Sequence, residues 1–125
     1  MRQVLVVDAA NVVGSVPNGW WRDRAGAARR LVASLSDHDW DLVVVVLEGA
    51  ARKGAEPTSG ARTQVVHAPG SGDDELVAQC RSLCAPGTAV TLCTADRGLR
   101  ERVRGLGVHL VGPRQVHQPP GAAAG

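Results

Sequence analysis

The sequence predicts an α/β domain: a central, mostly parallel sheet of about five strands, flanked by helices in three layers. Three observations carry this. Short apolar runs rich in valine and leucine recur along the chain without polar alternation, as strands buried on both faces do. Segments with helical spacing separate them. The first run, Val4-Leu5-Val6-Val7, ends abruptly in Asp8, and open α/β sheets place ligands at such strand exits.

The first strand spans about Gln3 to Asp8. A loop is expected over Asn11 to Gly19, where Gly14, Ser15, Pro17 and Asn18-Gly19 give turn chemistry. Trp20-Trp21-Arg22-Asp23-Arg24 follows, and then Ala27, Ala28, Leu31, Val32 and Leu35 share one face of a helix, with Arg22, Arg24, Arg29 and Arg30 giving a basic outer side, to about Ser36-Asp37. Asp41 to Glu48 is the second strand, again ending in an acid. Gly49 to Arg62 carries Arg52, Lys53 and Arg62 among small residues and is read as a mobile basic loop; no helix is evident between strands two and three. Thr63 to His67 is the third strand, and Asp73-Asp74-Glu75 opens a helix to about Cys84, closed by Pro86-Gly87. Ala89 to Thr94 is the fourth strand, Arg97 to Leu106 a short basic helix, and Val108 to Val111 the fifth strand. One domain is expected over residues 1–116, with a disordered Pro/Gly/Ala tail over 117–125.

Composition narrows the classes. The chain has 125 residues, 44% of them hydrophobic, enough for one core. Phe and Tyr are absent and Trp occurs three times, so valine, leucine and alanine must do the packing. A net charge of +2 is not the excess of a protein that coats nucleic acid. Cys80, Cys84 and Cys93 form no C-x-x-C pair and read as buried thiols of a reducing compartment. No apolar run approaches the roughly 18–20 residues of a membrane span, and Asp8 interrupts any signal-peptide core. The expectation is a soluble cytoplasmic protein with no membrane partner.

On this plan Asp8, Glu48, Asp73, Asp74 and Asp96 all fall at the carboxyl edge of the sheet. Asp37, Asp39, Asp41 and Glu101 fall elsewhere. Clustered carboxylates repel and need a cation or a proton to coexist. Hard oxygen ligands suit one or two Mg²⁺ or Mn²⁺ ions, which activate water and stabilise phosphoryl charge. Each acid also has a structural use: Asp8 and Asp96 as caps, Glu48 as a solvated strand end, Asp74 as the third residue of a capping box begun by Ser71. Arg22, Arg24, Arg52, Lys53 and Arg97 would flank the edge, suiting a phosphate backbone. Of Trp20 and Trp21, one could stack on an unpaired base and the other join the core. His67 and His109 read as structural. Neither a P-loop nor a nucleophile elbow is present.

Three motifs occur in order: Val7-Asp8-x-x-Asn11-Val12-Val13-Gly14-Ser15-x-Pro17, Gly72-Asp73-Asp74-Glu75-Leu76 and Thr94-Ala95-Asp96-Arg97. Together they resemble the motifs of NYN domains, the PIN-like nuclease branch, and most closely the small bacterial NYN proteins that include a ribosome-associated endoribonuclease. The resemblance runs from about residue 3 to 112. It implies a PIN-like fold and a Mg²⁺- or Mn²⁺-dependent endoribonuclease acting on single-stranded RNA, ribosome-associated mRNA included. It implies that Asp8, Asp73 and Asp96 bind the metal, that Asn11 holds the loop or a ligand water, that Thr94 orients the site, and that Asn11 to Ser15 form its rim. Two positions depart from the family pattern: Ala10 stands where an aromatic is usual, and Glu48 where Asp is more frequent. A nucleotide phosphohydrolase using the same acids and a non-catalytic RNA- or ribosome-binding module both stay open, as do monomer and homodimer.

Overall fold

The structure is a computed structural model and describes residues 1–15 and 19–114. Pro17 and the expected tail lie outside the described residues. Five parallel strands form one sheet in the order β3-β2-β1-β4-β5. They are β1 (Arg2–Asp8), β2 (Leu42–Leu47), β3 (Thr63–His67), β4 (Thr88–Cys93) and β5 (His109–Val111). The helices are α1 (Ala9–Gly14), α2 (Arg24–Ser34), α3 (Gly72–Leu83) and α4 (Arg97–Arg102). The chain starts at the centre, builds outward to β3, then returns to build β4 and β5 on the other side. Right-handed crossovers in opposite directions put the helices on opposite faces and open a crevice where the direction reverses, between β1 and β4.

The valine runs are buried on both sides because the sheet is covered on both sides. Leu5, Val7, Val43, Val45 and Leu47 pack with Val12 of α1 and with Ala28 and Leu31 of α2. Val4, Val6, Val44, Val46 and Leu92 pack with Leu76, Val77 and Cys80 of α3 and Leu99 of α4. Asp8 therefore shares the β1 face of Val4 and Val6 and points to the α3/α4 side. Trp40, 7% exposed, is the core tryptophan.

Four expectations need correction. Ala9–Gly14, which takes in the first part of the expected loop, is helical, because the Asp8 carboxylate caps α1 by accepting from the Asn11 N–H, and Ala9 and Ala10 favour helix. The basic helix expected to include Arg22 begins after it: Trp20–Arg22 is a 3₁₀ turn, and Asp23 then caps α2 through the Gly26 N–H (2.8 Å). The segment after β2 is not a mobile loop throughout. Gly49–Gly54 is a 3₁₀ turn packed on α2, and buried Gly54 sits so close that a Cβ there would meet the Ala25 carbonyl. The last basic helix is divided, α4 ending at Arg102 before a 3₁₀ turn, Arg104–Leu106. The five-stranded parallel sheet itself agrees with the mostly parallel sheet of about five strands expected.

His67 is held through Nε2 and the Ala55 carbonyl oxygen (2.7 Å), and His109 is exposed on β5. All three cysteines are free. Burial pushes the Cys80 and Cys93 thiols up to about 12, so both stay protonated at neutral pH. Among the described residues no helix is long and apolar enough to cross a membrane.

Candidate metal centre and nucleic-acid interface

The crevice between β1 and β4 is held by one buried hydroxyl. Thr94, wholly buried just past β4, donates from Oγ1 to Asp8 Oδ2 (2.8 Å). The same Oγ1 accepts from the Asp96 N–H (3.1 Å). Asp96 in turn caps α4, its Oδ1 accepting from the Leu99 N–H (2.9 Å). Asn11 crosses from α1, and its Oδ1 accepts from the Ala95 N–H (2.9 Å). The ends of β1 and β4 are thus tied by side chains of residues 8, 11 and 94. Asp8 and Asp96 are caps, as their positions at strand exits suggest; Asp96 is exposed, while Asp8 is buried with one bond to each carboxylate oxygen.

Two further acids come from the neighbouring elements. Glu48, just past β2, is half-buried, and its Oε2 accepts from the Gly72 N–H at the start of α3 (2.9 Å). A Cβ at Gly72 would lie 2.8 Å from the Glu48 carboxyl carbon, so glycine is what allows this approach. Asp73 follows on the first turn of α3.

The electrostatics link these groups. Burial holds the Asp8 carboxyl above the usual carboxylate range; its bonds from Thr94 and Asn11 oppose this, and the Asp73 and Glu48 charges add to it. Asp73 is also raised, first by partial desolvation and then by Asp96, Glu48 and Asp74, with Arg102 pulling the other way. Asp8, Glu48, Asp73 and Asp96 therefore form one repelling set. Among the described residues no three His, Cys, Asp or Glu side chains are gathered tightly enough to hold an ion as they stand. The set is an open rim of hard oxygen donors, a chemistry that fits a hydrated divalent cation better than a closed cage would.

The other expected residues lie outside this set of four acids. Asp74 is exposed and pairs with Arg102 (2.9 Å), while the Ser71 hydroxyl accepts from its N–H (3.4 Å). Ser15 ends α1, its hydroxyl donating to the Val12 carbonyl (2.7 Å). Arg52 donates to the carbonyls of Gly49 (3.1 Å) and Ala68 (3.4 Å), and Lys53 is exposed on the same turn. Arg97 borders a groove between α4 and β5 with Arg104, Val108 and Leu110. Neither member of the tryptophan pair joins the core. Trp21 is 54% exposed with Arg22 above its ring, and Trp20 is half-buried with the Arg24 guanidinium 5.3 Å from its ring centroid. Trp20, Arg24 and Glu48 border one cavity of about 410 Å³.

Sequence reasoning missed two residues here. Arg100 donates from Nε to the Thr94 carbonyl (2.8 Å), fixing the segment that carries the buried hydroxyl. No spacing marks it among the other arginines. Gly72 opens the second motif, but nothing in the sequence shows that its missing Cβ is what admits the Glu48 carboxylate.

No family model and no curated protein matches the chain. Among solved structures it is similar to a mutant of Rae1 (YacP) from Bacillus subtilis, with a TM-score of 0.74 and 18% identity over 93% of this chain and 72% of that one. A second structure of Rae1 (YacP) from the same organism gives a TM-score of 0.71 and 18% identity over 90% of this chain and 70% of the other. At such identity the likeness speaks for architecture alone: the chain has the three-layer PIN-like fold that its motifs led us to expect, shared with Rae1 over nearly all its length.

Proposed function

We propose that this chain is a Mg²⁺- or Mn²⁺-dependent endoribonuclease that hydrolyses phosphodiester bonds of single-stranded RNA. The observation that carries the reading is the acidic set at the β1/β4 crevice: Asp8, Glu48, Asp73 and Asp96 reach it from four separate segments, and burial, with their mutual repulsion added, holds the Asp8 and Asp73 carboxyls above the usual range. The family resemblance of the three motifs and the fold shared with Rae1 support it.

In this reading Asp8, Asp73 and Asp96 hold the ion, Glu48 flanks them, and exposed Asp74 reaches the site only by leaving Arg102. When bound, the cation supplies Lewis-acid stabilisation of phosphoryl charge and a more acidic water. Thr94 keeps the Asp8 carboxylate aimed and Asn11 keeps the Asp96 segment against α1. Arg22, Arg24, Arg52, Lys53 and Arg97 offer cations to the backbone phosphates, and Ser15 lies at the rim. Water adds to phosphorus as the bond to the 3′ oxygen breaks; the oxygen takes the proton, leaving a 5′-phosphate and a 3′-hydroxyl. Single-stranded RNA, ribosome-associated mRNA among it, suits a site whose rim is open and whose aromatic surface is accessible.

Labelled single-stranded RNA incubated with the protein tests this. Cleavage is expected with Mn²⁺ or Mg²⁺, none with EDTA, and a loss of about a hundredfold in Asp96→Asn, at or beyond the effect of losing an outer partner of a metal ligand. Equal cleavage by the variant, or intact RNA under all conditions, would contradict the reading. The cavity beside Glu48, large enough for one base, favours a second reading, a nucleotide phosphohydrolase. Release of inorganic phosphate from nucleoside monophosphates with RNA left intact would select it.

A further inference from the structure

We infer that the cavity between α1, α2 and the Gly49–Gly54 turn takes the base of one unpaired nucleotide. Which nucleotide it serves, the one beside the cleaved bond, rests on the ribonuclease reading above; that a base binds there does not. The volume of about 410 Å³ lies within the roughly 300–1,000 Å³ of small-ligand sites. Its lining is largely apolar, with the methyl groups of Ala10 of α1 and Ala51 of the turn beside Val13.

One wall is the Trp20 indole with the Arg24 guanidinium laid over it. A planar, polarisable aromatic–cation pair favours stacking of a planar heterocycle over an aliphatic group. No carboxylate bonds to Arg24 among the ion pairs of the described residues, so its charge is available to a phosphate. Glu48 also lines the cavity, and its Oε2 is held by the Gly72 N–H. Glu48 therefore belongs both to the cavity and to the acidic rim. An occupant with a flat apolar part and a phosphate for the Arg24 guanidinium is a nucleotide. The side chain of a bound peptide would satisfy the slot but leave the Arg24 charge unmatched.

The test has two arms. In the first, ¹⁵N-labelled protein in EDTA is titrated with adenosine 5′-monophosphate, with ribose 5-phosphate and with N-acetyl-leucine amide, reading the Trp20 indole N–H signal (assigned with Trp20→Leu). The monophosphate is expected to shift it, and the other two to leave it in place. Ala10→Leu, which fills the slot from an exposed position on α1, is expected to abolish the shift. In the second arm, Ala10→Leu is expected to raise KM for single-stranded RNA by about tenfold, more than it changes kcat. An indole that ignores the monophosphate, or answers equally to ribose 5-phosphate or to the leucine amide, would overturn the base pocket. So would a wild-type KM in Ala10→Leu. If wild type cleaves no RNA, the ribonuclease reading falls and the titration alone decides the pocket.

Discussion

Asp8→Asn is expected to lower metal-dependent RNA cleavage by at least about a hundredfold, since it removes a direct donor to the ion and not merely an outer partner. The fold should survive the change. Asparagine caps helices as well as aspartate does, and its oxygen can still accept from the Asn11 N–H. At neutral pH the variant should be at least as stable as wild type, because burial of the ionised Asp8 carboxylate works against folding.

The sign of the pH dependence follows. The folded-state pKa of Asp8 is raised, so between the ordinary carboxylate pKa and the raised value the native protein keeps a proton that the unfolded chain has lost. Wild type therefore gains stability relative to Asp8→Asn as pH falls through that window, and loses it as pH rises. Below the unfolded pKa the contribution is constant. Urea midpoints for both proteins, measured from pH 7 down to pH 4, check this. A midpoint difference independent of pH would mean that Asp8 is not the strained acid described.

Thr94→Val should cost about 1–3 kcal/mol of stability, toward the upper end because the orphaned partner is a charged carboxylate. The shape is nearly unchanged, so the loss comes from two hydrogen bonds rather than from a cavity. Losing the Thr94 bond also removes an influence that lowers the Asp8 pKa, so the Asp8 carboxyl should titrate higher still. In the proposed enzyme Thr94 is a positioning residue. Apparent Mn²⁺ affinity should fall by about 10–100-fold, and Thr94→Ser, which keeps the hydroxyl, should restore most of it. Denaturation midpoints together with a carbon-detected titration of the Asp8 carboxyl separate this from a general loss of stability, which Thr94→Ser would not rescue selectively.

Much of this arrangement was legible along the chain. A valine run that ends in an acid reads as a buried strand leaving its sheet, so the sequence alone brings Asp8, at the end of strand one, and Asp96, just past strand four, to one edge. Helices were harder where capping, not periodicity, decides them. Six residues of α1 are too few to show a period, and they are helical because Asp8 caps them. The Gly49–Gly54 turn looked like a loop because its packing depends on what a glycine lacks, opposite the Ala25 carbonyl far away in sequence. The same limit hid the Gly72–Glu48 contact and the bond from Arg100 to Thr94: both join residues whose separate neighbourhoods carry no mark of the partner. Asp74 shows the converse. Its position beside Asp73 made it a natural metal ligand, yet on the helix it turns outward to Arg102.

The central claim is that the carboxylates at the β1/β4 crevice hold a divalent cation. Titration of ¹⁵N-labelled protein with Mn²⁺ tests it most directly, because paramagnetic broadening falls off steeply with distance from the ion. At substoichiometric Mn²⁺ the amides of Asp8, Asp73, Thr94 and Asp96 should broaden first, and the effect should vanish in Asp8→Asn. Broadening centred on Asp37, Asp39 and Asp41 at the far edge of the sheet, or unchanged in the variant, would contradict it.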